Sequence, residues 1–383
     1  ALLTKEIRNK EVEFVYLSTY KENLEILKNY GLTPCFYLKN NFFKTAKTLI
    51  LRFFRGTRIY QIFEKLNFFS DFEIFLKRKN VDLVYFLSLS KKGLDLSHIN
   101  FIVTIWDISH LDEPEFPEIR WQSIDNIRDS IIEPVLKRST TIIVDSMTSK
   151  KNISKRFHLN SRKIEILPHE ASTFVQKYSN QIKKDFKKKV LEKYSISNPY
   201  VYYPAQFWAH KNHAFILYAI KELKEKYNTN IEAVFTGSDK GNLRYILNLA
   251  KKLNISERIK YLGFIESSEI PVLYKNSIAL VMPTYFGPTN IPPIEAITLS
   301  VPIIYSDIPG AKEQLGSAAI YVDLKKVEEL SIAIYKIFSN KKTRDYLIAE
   351  GRNRLKSMVS KRDRLVILEK TFKKFQFKKL TWK

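Results

Sequence analysis

Short runs of β-branched and aromatic residues alternate with helical stretches along most of the chain, and this alternation limits the fold to βαβ units around parallel sheets. In the first half the expected strands are Val12–Leu17, Val81–Phe86, Phe101–Trp106, Thr140–Val144 and Lys163–Leu167. In the second they are Tyr200–Tyr203, Ala233–Thr236, Ile259–Leu262, Ala279–Met282, Ile303–Tyr305 and Ala319–Val322. Helices fill the intervals, clearest at Ala214–Tyr227 and Leu243–Leu253. A chain of 383 residues suits two domains of common size. The lysine-rich stretch Phe174–Tyr194 marks the division. The expected plan is a first domain over 1–168 without its opening strand, a linker over 169–195, a second domain over 196–345 and a helical segment over 346–383. Leu347, Leu355, Leu365, Leu368 and Phe372 anchor that last segment. Ala1–Arg8 reads as helix, so the chain opens inside an element.

Composition narrows the function classes. No stretch approaches the roughly 20 uncharged apolar residues of a membrane span, and no secretory signal is legible. Cys35 is the sole cysteine, which leaves no intrachain disulfide or zinc-binding cysteine cluster and fits the cytoplasm. A formal charge of +24 admits nucleic acid, an anionic membrane surface or anionic small substrates as partners, with codon bias supplying part of the lysine excess. The basic residues are dispersed over both halves without a nucleic-acid module, so no nucleic-acid partner is expected, although that class remains an alternative. Within Asn41–Gln61, Lys44, Lys47, Arg52, Arg55 and Arg58 share one helical face, and Phe42, Phe43, Ala46, Leu49, Ile50, Phe53 and Phe54 occupy the other. That pattern suits either peripheral contact with an anionic membrane or a half-buried helix with a solvated basic face.

The most informative segment is Pro283–Gly316. A buried strand ends at Met282, a loop rich in Pro, Thr and Asn follows, and a helix begins near Ile294. Open α/β sheets place ligands at such strand ends. A helix starting here aims its N–H groups and positive dipole end at the crevice, which suits a diphosphate. Gly287 permits close backbone approach, and Glu295 is placed to accept hydrogen bonds from a ribose diol or to serve as an ordinary helix-start charge.

In order, the segment contains Phe286-Gly287, Pro293-Ile294-Glu295-Ala296, Val301-Pro302-Ile303-Ile304, Ser306-Asp307, Gly310 and Glu313-Gln314-Leu315-Gly316. This series resembles the nucleotide-binding half of retaining GT-B glycosyltransferases of family 4, the glycosyl transferases group 1. The resemblance implies an α/β GT-B fold, with two Rossmann-like parallel-sheet domains facing a central cleft and C-terminal helices packing back on the body. It also implies transfer of a sugar from a nucleotide-sugar donor to a glycan or lipid-linked glycan acceptor, with retention at the anomeric carbon. Bacterial surface polysaccharide, lipopolysaccharide included, is the expected product, made in the cytoplasm or on the inner face of the cell membrane.

Residue by residue, the resemblance makes Glu295, Lys211, Asp107 and His110 the catalytic candidates. Donor-binding candidates are Gln206, Gly237, Phe264, Gly287, Thr289, Asn290, Ile291 and Glu295. Lys211 holds the position of a phosphate-pairing lysine, and Leu262-Gly263-Phe264-Ile265 that of the turn whose backbone meets the base. Plain alternatives stand beside these roles: a solvated helix-start lysine, ordinary turn glycines at 237 and 241, a capping Asp107 and a buried Trp106. Three positions depart from the family pattern. Gln206 stands for an arginine, Trp106 for a histidine, and Gly287 for a carboxylate eight residues before Glu295. An inserted Pro288-Thr289-Asn290 gives Thr289 and Asn290 as substitute partners for the donor sugar. No Asp-x-Asp stands in a suitable strand-end loop, so no metal or other cofactor is expected. A GT-B-like chain without activity, serving in a glycan-assembly complex, is the other alternative.

Overall fold

A computed structural model describes residues 12–18, 20–36, 42–66, 68–120, 124–178, 182–287, 289–358 and 360–382. The expected helix at Ala1–Arg8, Asn41, the side chains of Phe42, Phe43 and Lys44, and Pro288 lie outside that description. The first lobe contains two parallel sheets. β1 (Tyr16–Ser18) pairs with β2 (Pro34–Phe36), while β3 (Leu83–Phe86), β4 (Asn100–Thr104), β5 (Thr141–Val144) and β6 (Ile164–Ile166) follow one another in the larger sheet. β2 was not expected, because three residues opening on a proline give no alternation to read. A cavity of about 1650 Å³ is lined by residues of both β1 and β3, with Phe72 and Phe372 among its walls.

The second lobe is built on six parallel strands: β7 (Tyr200–Pro204), β8 (Glu232–Thr236), β9 (Ile259–Tyr261), β10 (Leu280–Met282), β11 (Ile303–Ser306) and β12 (Ala319–Val322). Their spatial order is β12-β11-β10-β7-β8-β9, so the chain works outward from β7 to one edge and then returns to build the other. Helices cover both faces, which is why β8 and β11 are buried at every residue and carry the apolar runs Ala233–Phe235 and Ile303–Tyr305.

The lysine-rich stretch expected as a linker is largely helical. Helices Thr173–Tyr178 and Lys184–Lys193 turn Val175 and Val190 into the second-lobe core and leave the lysines outside. The final helix, Lys361–Lys379, packs on the first lobe instead, placing Leu368 and Phe372 against Ile102 and Ile143. A capping box at Ser360 and Asp363 starts it, and Lys379 pairs with Asp82 at 2.6 Å.

Helix Phe42–Phe54 does not take the half-buried arrangement with a solvated basic face, one of the two readings its sequence allows. Arg52 binds Asp95 at 2.5 Å, Lys47 reaches Asp71 at 3.3 Å, and Arg55 donates to Tyr60, Ser97 and the Leu96 carbonyl. Leu49, Ile50 and Phe53 therefore face outward, Phe53 at 80% exposure. Buried carboxylates and carbonyls on the body attract the cations more strongly than a small core attracts the apolar face.

Glu73, on helix Asp71–Arg78, fixes the approach to β4. It is fully buried and accepts from the backbone N–H groups of Ser97 (2.9 Å), His98 (2.6 Å) and Ile99 (3.1 Å). Glu73→Ala leaves these donors without an acceptor and should lower the unfolding free energy by about 2–4 kcal/mol in urea titration. Glu73→Gln, which keeps one acceptor oxygen, should lose about half as much.

Candidate functional site

Because β7 lies between β8 and β10, the connections leaving β7 and β10 diverge to opposite faces of the sheet. A crevice opens at their carboxyl ends, where such sheets take ligands. After β7 the chain runs through the short turn Ala209–Lys211 and the left-handed Asn212 (φ 53°) into helix His213–Tyr227. The loop after β10 is tied to this turn: Tyr285 N donates to the His210 carbonyl at 2.9 Å, and the His210 ring stacks on Phe286 at 4.0 Å.

Lys211 is half-buried at the centre of this turn. Its Nζ makes no hydrogen bond or ion pair among the described residues. Burial lowers its pKa to about 8, against the pull of Asp107 and Glu118 from the first lobe. Glu118 is bound to the same turn, accepting from the His210 backbone N–H at 2.9 Å and its ring Nδ1 at 2.5 Å. Burial raises the Glu118 pKa, but the two His210 bonds outweigh it and hold the carboxyl below its ordinary value. Asp107 caps its own turn, accepting from Ser109 N at 3.1 Å. The crevice thus presents a positive charge near two first-lobe carboxylates, an arrangement able to hold a polyanion once they are screened or displaced.

The helix after β10 is Ile291–Thr298, with Asn290 at its N-cap. Two of its first three residues, Pro292 and Pro293, carry no N–H, and Asn290 N donates to Gln314 Oε1 at 3.2 Å. Of the donors expected at this helix start, the Ile291 amide is left open. The dipole persists, but direct hydrogen bonding to an anion falls chiefly to Lys211. Gly287 has φ +112°, and an added Cβ would come within 2.9 Å of Asn290 Nδ2, so the glycine allows this loop to fold over its own cap. Asn290 Nδ2 also donates to Tyr305 OH at 2.5 Å. Glu295 is 5% exposed and engaged by two hydroxyls, from Ser172 and from Tyr274, the latter at 2.8 Å. It holds hydroxyls, the chemistry expected of it, but these are protein hydroxyls and not an open solvent face.

The lobes touch across the crevice. Thr289 donates to Asp145, which follows β5. Glu313 accepts from the backbone N–H groups of Met147 (2.6 Å) and Thr148 (2.8 Å), capping helix Met147–Arg156 of the opposite lobe. Phe116 packs on Tyr285 and Phe286 at centroid distances of 5.2 and 5.5 Å.

The other expected residues divide. Gln206 is exposed, and its Oε1 accepts from Trp208 Nε1 at 2.9 Å. Gly237 (φ +133°) serves close packing of strand ends, since a Cβ there would stand 2.5 Å from the Ala205 carbonyl. Phe264 projects into solvent at 85% exposure, open to stacking. His110 is 4% exposed inside the first lobe, so its ring is largely closed to a ligand, contrary to its expected catalytic role. The imidazole beside Lys211 is His210, its neighbour in sequence. Trp106 is not buried but 46% exposed, with His169 stacked on it at 5.1 Å. Glu118, Asp145, His169 and Glu313 went unread as site residues. Asp145 and His169 follow strand ends, a signal available in sequence, whereas Glu118 and Glu313 act across lobes, which no local pattern reports.

Residues 183–354 match the family Glycosyl transferases group 1. Over 225 residues the chain is 29% identical to the O-antigen chain mannosyltransferase RfbU of Salmonella typhimurium, covering 55% of this chain and 57% of that one. The chain thus spans little more than half the length of that relative. A glycosyltransferase from Rickettsia africae shares the fold with a TM-score of 0.71 at 16% identity, over 97% of this chain and 93% of its own. The Anabaena protein HepE, solved with UDP and glucose, does so with a TM-score of 0.68 at 12% identity, over 91% and 88%. Lys211, the loop after β10 and Glu295 all lie inside residues 183–354, the region that matches Glycosyl transferases group 1, in a chain of GT-B fold.

Proposed function

We propose that the chain transfers a hexosyl unit from a nucleotide-sugar donor to a glycan or lipid-linked glycan acceptor, with retention of anomeric configuration and without a resident metal. The observation that carries this reading is Lys211, a half-buried ammonium unpaired among the described residues, at the point where the sheet connections diverge. A departing diphosphate is the leaving group such a charge stabilises. In this reading the Ile291 amide and the helix dipole assist Lys211, Glu295 exchanges the Ser172 hydroxyl for ribose hydroxyls, and Phe264 covers the base. Thr289 and Asn290 face the sugar, with Asp107 across the crevice. The acceptor oxygen bonds to the anomeric carbon as the carbon–phosphate oxygen bond breaks, and the acceptor proton passes to the departing phosphate. A role in bacterial surface polysaccharide synthesis is supported by the likeness to RfbU, and nucleotide use by the likeness to HepE, solved with UDP.

Peripheral membrane contact belongs to the same proposal. No helix among the described residues is long and apolar enough to cross a membrane. Leu49, Ile50, Phe53, Ile59, Ile62 and Leu66 nevertheless form an outward apolar set on helices Phe42–Phe54 and Arg58–Lys65, with Arg58 and Lys65 exposed beside them. A surface of this kind inserts into the headgroup boundary.

Calorimetry with UDP, GDP, ADP, CDP and dTDP should find at least one ligand whose affinity depends on Lys211 protonation. With a pKa near 8, the ammonium is charged below that pH and lost above it, so affinity should fall by about tenfold from pH 7 to pH 9 in the wild type and stay flat in Lys211→Gln. No binding by any of the five would reject the donor assignment. Asn290→Ala should reduce turnover more than nucleotide binding, and unchanged kinetics would remove Asn290 from the sugar site. In flotation with anionic vesicles, insertion predicts binding that survives about 0.5 M salt and is lost in Phe53→Asp; purely electrostatic binding would fail the first condition.

A further inference from the structure

The stretch joining the lobes, Pro168–Ser172, touches a different part of the molecule with each polar side chain. Glu170 pairs with Arg364 at 2.6 Å, Ser172 donates to Glu295, and His169 sits between Trp106 and Asp145. The His169 imidazole lies nearly parallel to the Trp106 indole, at 16° and 5.1 Å, with Nε2 3.8 Å from Asp145 Oδ2. Asp145 is in turn the acceptor for Ser146 (3.0 Å), Ser149 (2.6 Å) and Thr289 of the opposite lobe. The Asp145 side chain is 1% exposed, yet His169 keeps 18% and Trp106 46%.

This geometry prepares one atom. The Asp145 charge favours the proton on Nε2, which leaves Nδ1 as a lone-pair acceptor. Burial holds the His169 pKa below its ordinary value, opposed by Asp145 and reinforced by Arg364, so the ring is neutral near pH 7. The stack on Trp106 sets the plane of the ring, the Asp145 charge lies 3.8 Å from Nε2, and Thr289 donates to that same carboxylate from the loop expected to face the sugar. Other imidazoles nearby are committed: His210 holds Glu118, while His213 is fully buried and stacked on Phe207.

We propose that His169 is a catalytic residue of the transfer, accepting through Nδ1 a hydrogen bond from a hydroxyl of the transferred sugar while Trp106 walls the same subsite. The assignment rests on the nucleotide-sugar reading above. A site built to bind a hydroxyl loses most when the acceptor is removed and the shape is kept. His169→Phe preserves the stack on Trp106 but removes the acceptor; His169→Gln restores an acceptor without the ring. The test is release of free sugar from UDP-, GDP-, ADP-, CDP- and dTDP-hexoses, beside calorimetry with the corresponding diphosphates. His169→Phe should lower turnover by about tenfold to a hundredfold with the diphosphate Kd within about twofold of wild type, and His169→Gln should recover part of it. Full turnover in His169→Phe, or an equal loss of diphosphate affinity, overturns the assignment and leaves the donor reading standing. Wild-type protein that binds no diphosphate and releases no sugar overturns both.

Discussion

The position of β7 between β8 and β10 governs the rest of the molecule. Parallel strands require crossovers, and crossovers that leave adjacent strands in opposite directions cannot close the space between them. Every second-lobe group assigned to the phosphates or sugar, from Lys211 to Asn290 and Ile291, follows one of the two strands that border this gap. The bond from Tyr285 N to the His210 carbonyl and the His210–Phe286 stack then fix one loop against the other, so that the crevice has a defined floor. Glycine and proline set its shape: Gly237 lets strand ends approach, Gly287 lets the loop fold over Asn290, and Pro292 and Pro293 start the helix while removing donors from it.

Much of this was legible in the sequence because its causes are local. Strands buried on both faces read as apolar runs, and all six strands of the second sheet lie where those runs stand, within a residue or so at their ends. Lys211 and Glu295 stand where the ordered motifs place them, in the turn after β7 and in the helix after β10. What escaped depends on partners distant in sequence. His110 and His210 cannot be told apart by type or by proximity to a motif; one is enclosed by its own lobe and the other is held at the crevice by Glu118. The helical wheel of Phe42–Phe54 separates the two faces but leaves their orientation open, because a wheel records which residues lie together and not what the body offers them. Asp95, Asp71 and the Leu96 carbonyl decided that question. The lysines of 183–189 suggested a linker for a similar reason: Val190 alone in that helix is buried, and one buried residue is a faint signal among so many charges.

The contacts between lobes give the site its second half. Thr289 on Asp145 and Glu313 on the start of helix Met147–Arg156 are both hydrogen bonds to charged or dipolar groups, the kind whose loss water readily compensates. Such bonds hold the lobes together less firmly than a large apolar interface would. The departures from the family pattern at Trp106, Gln206 and Gly287 also have physical form here. Trp106 carries a stacked imidazole, Gln206 braces Trp208, and Gly287 supports Asn290.

The most direct test is a crystal structure of the protein with whichever nucleoside diphosphate binds it in solution. The account predicts the β-phosphate within hydrogen-bonding distance of Lys211 Nζ and the Ile291 amide, with the ribose hydroxyls on Glu295. A nucleotide bound in the first-lobe cavity between β1 and β3, or one that leaves Lys211 and Glu295 untouched, would contradict it.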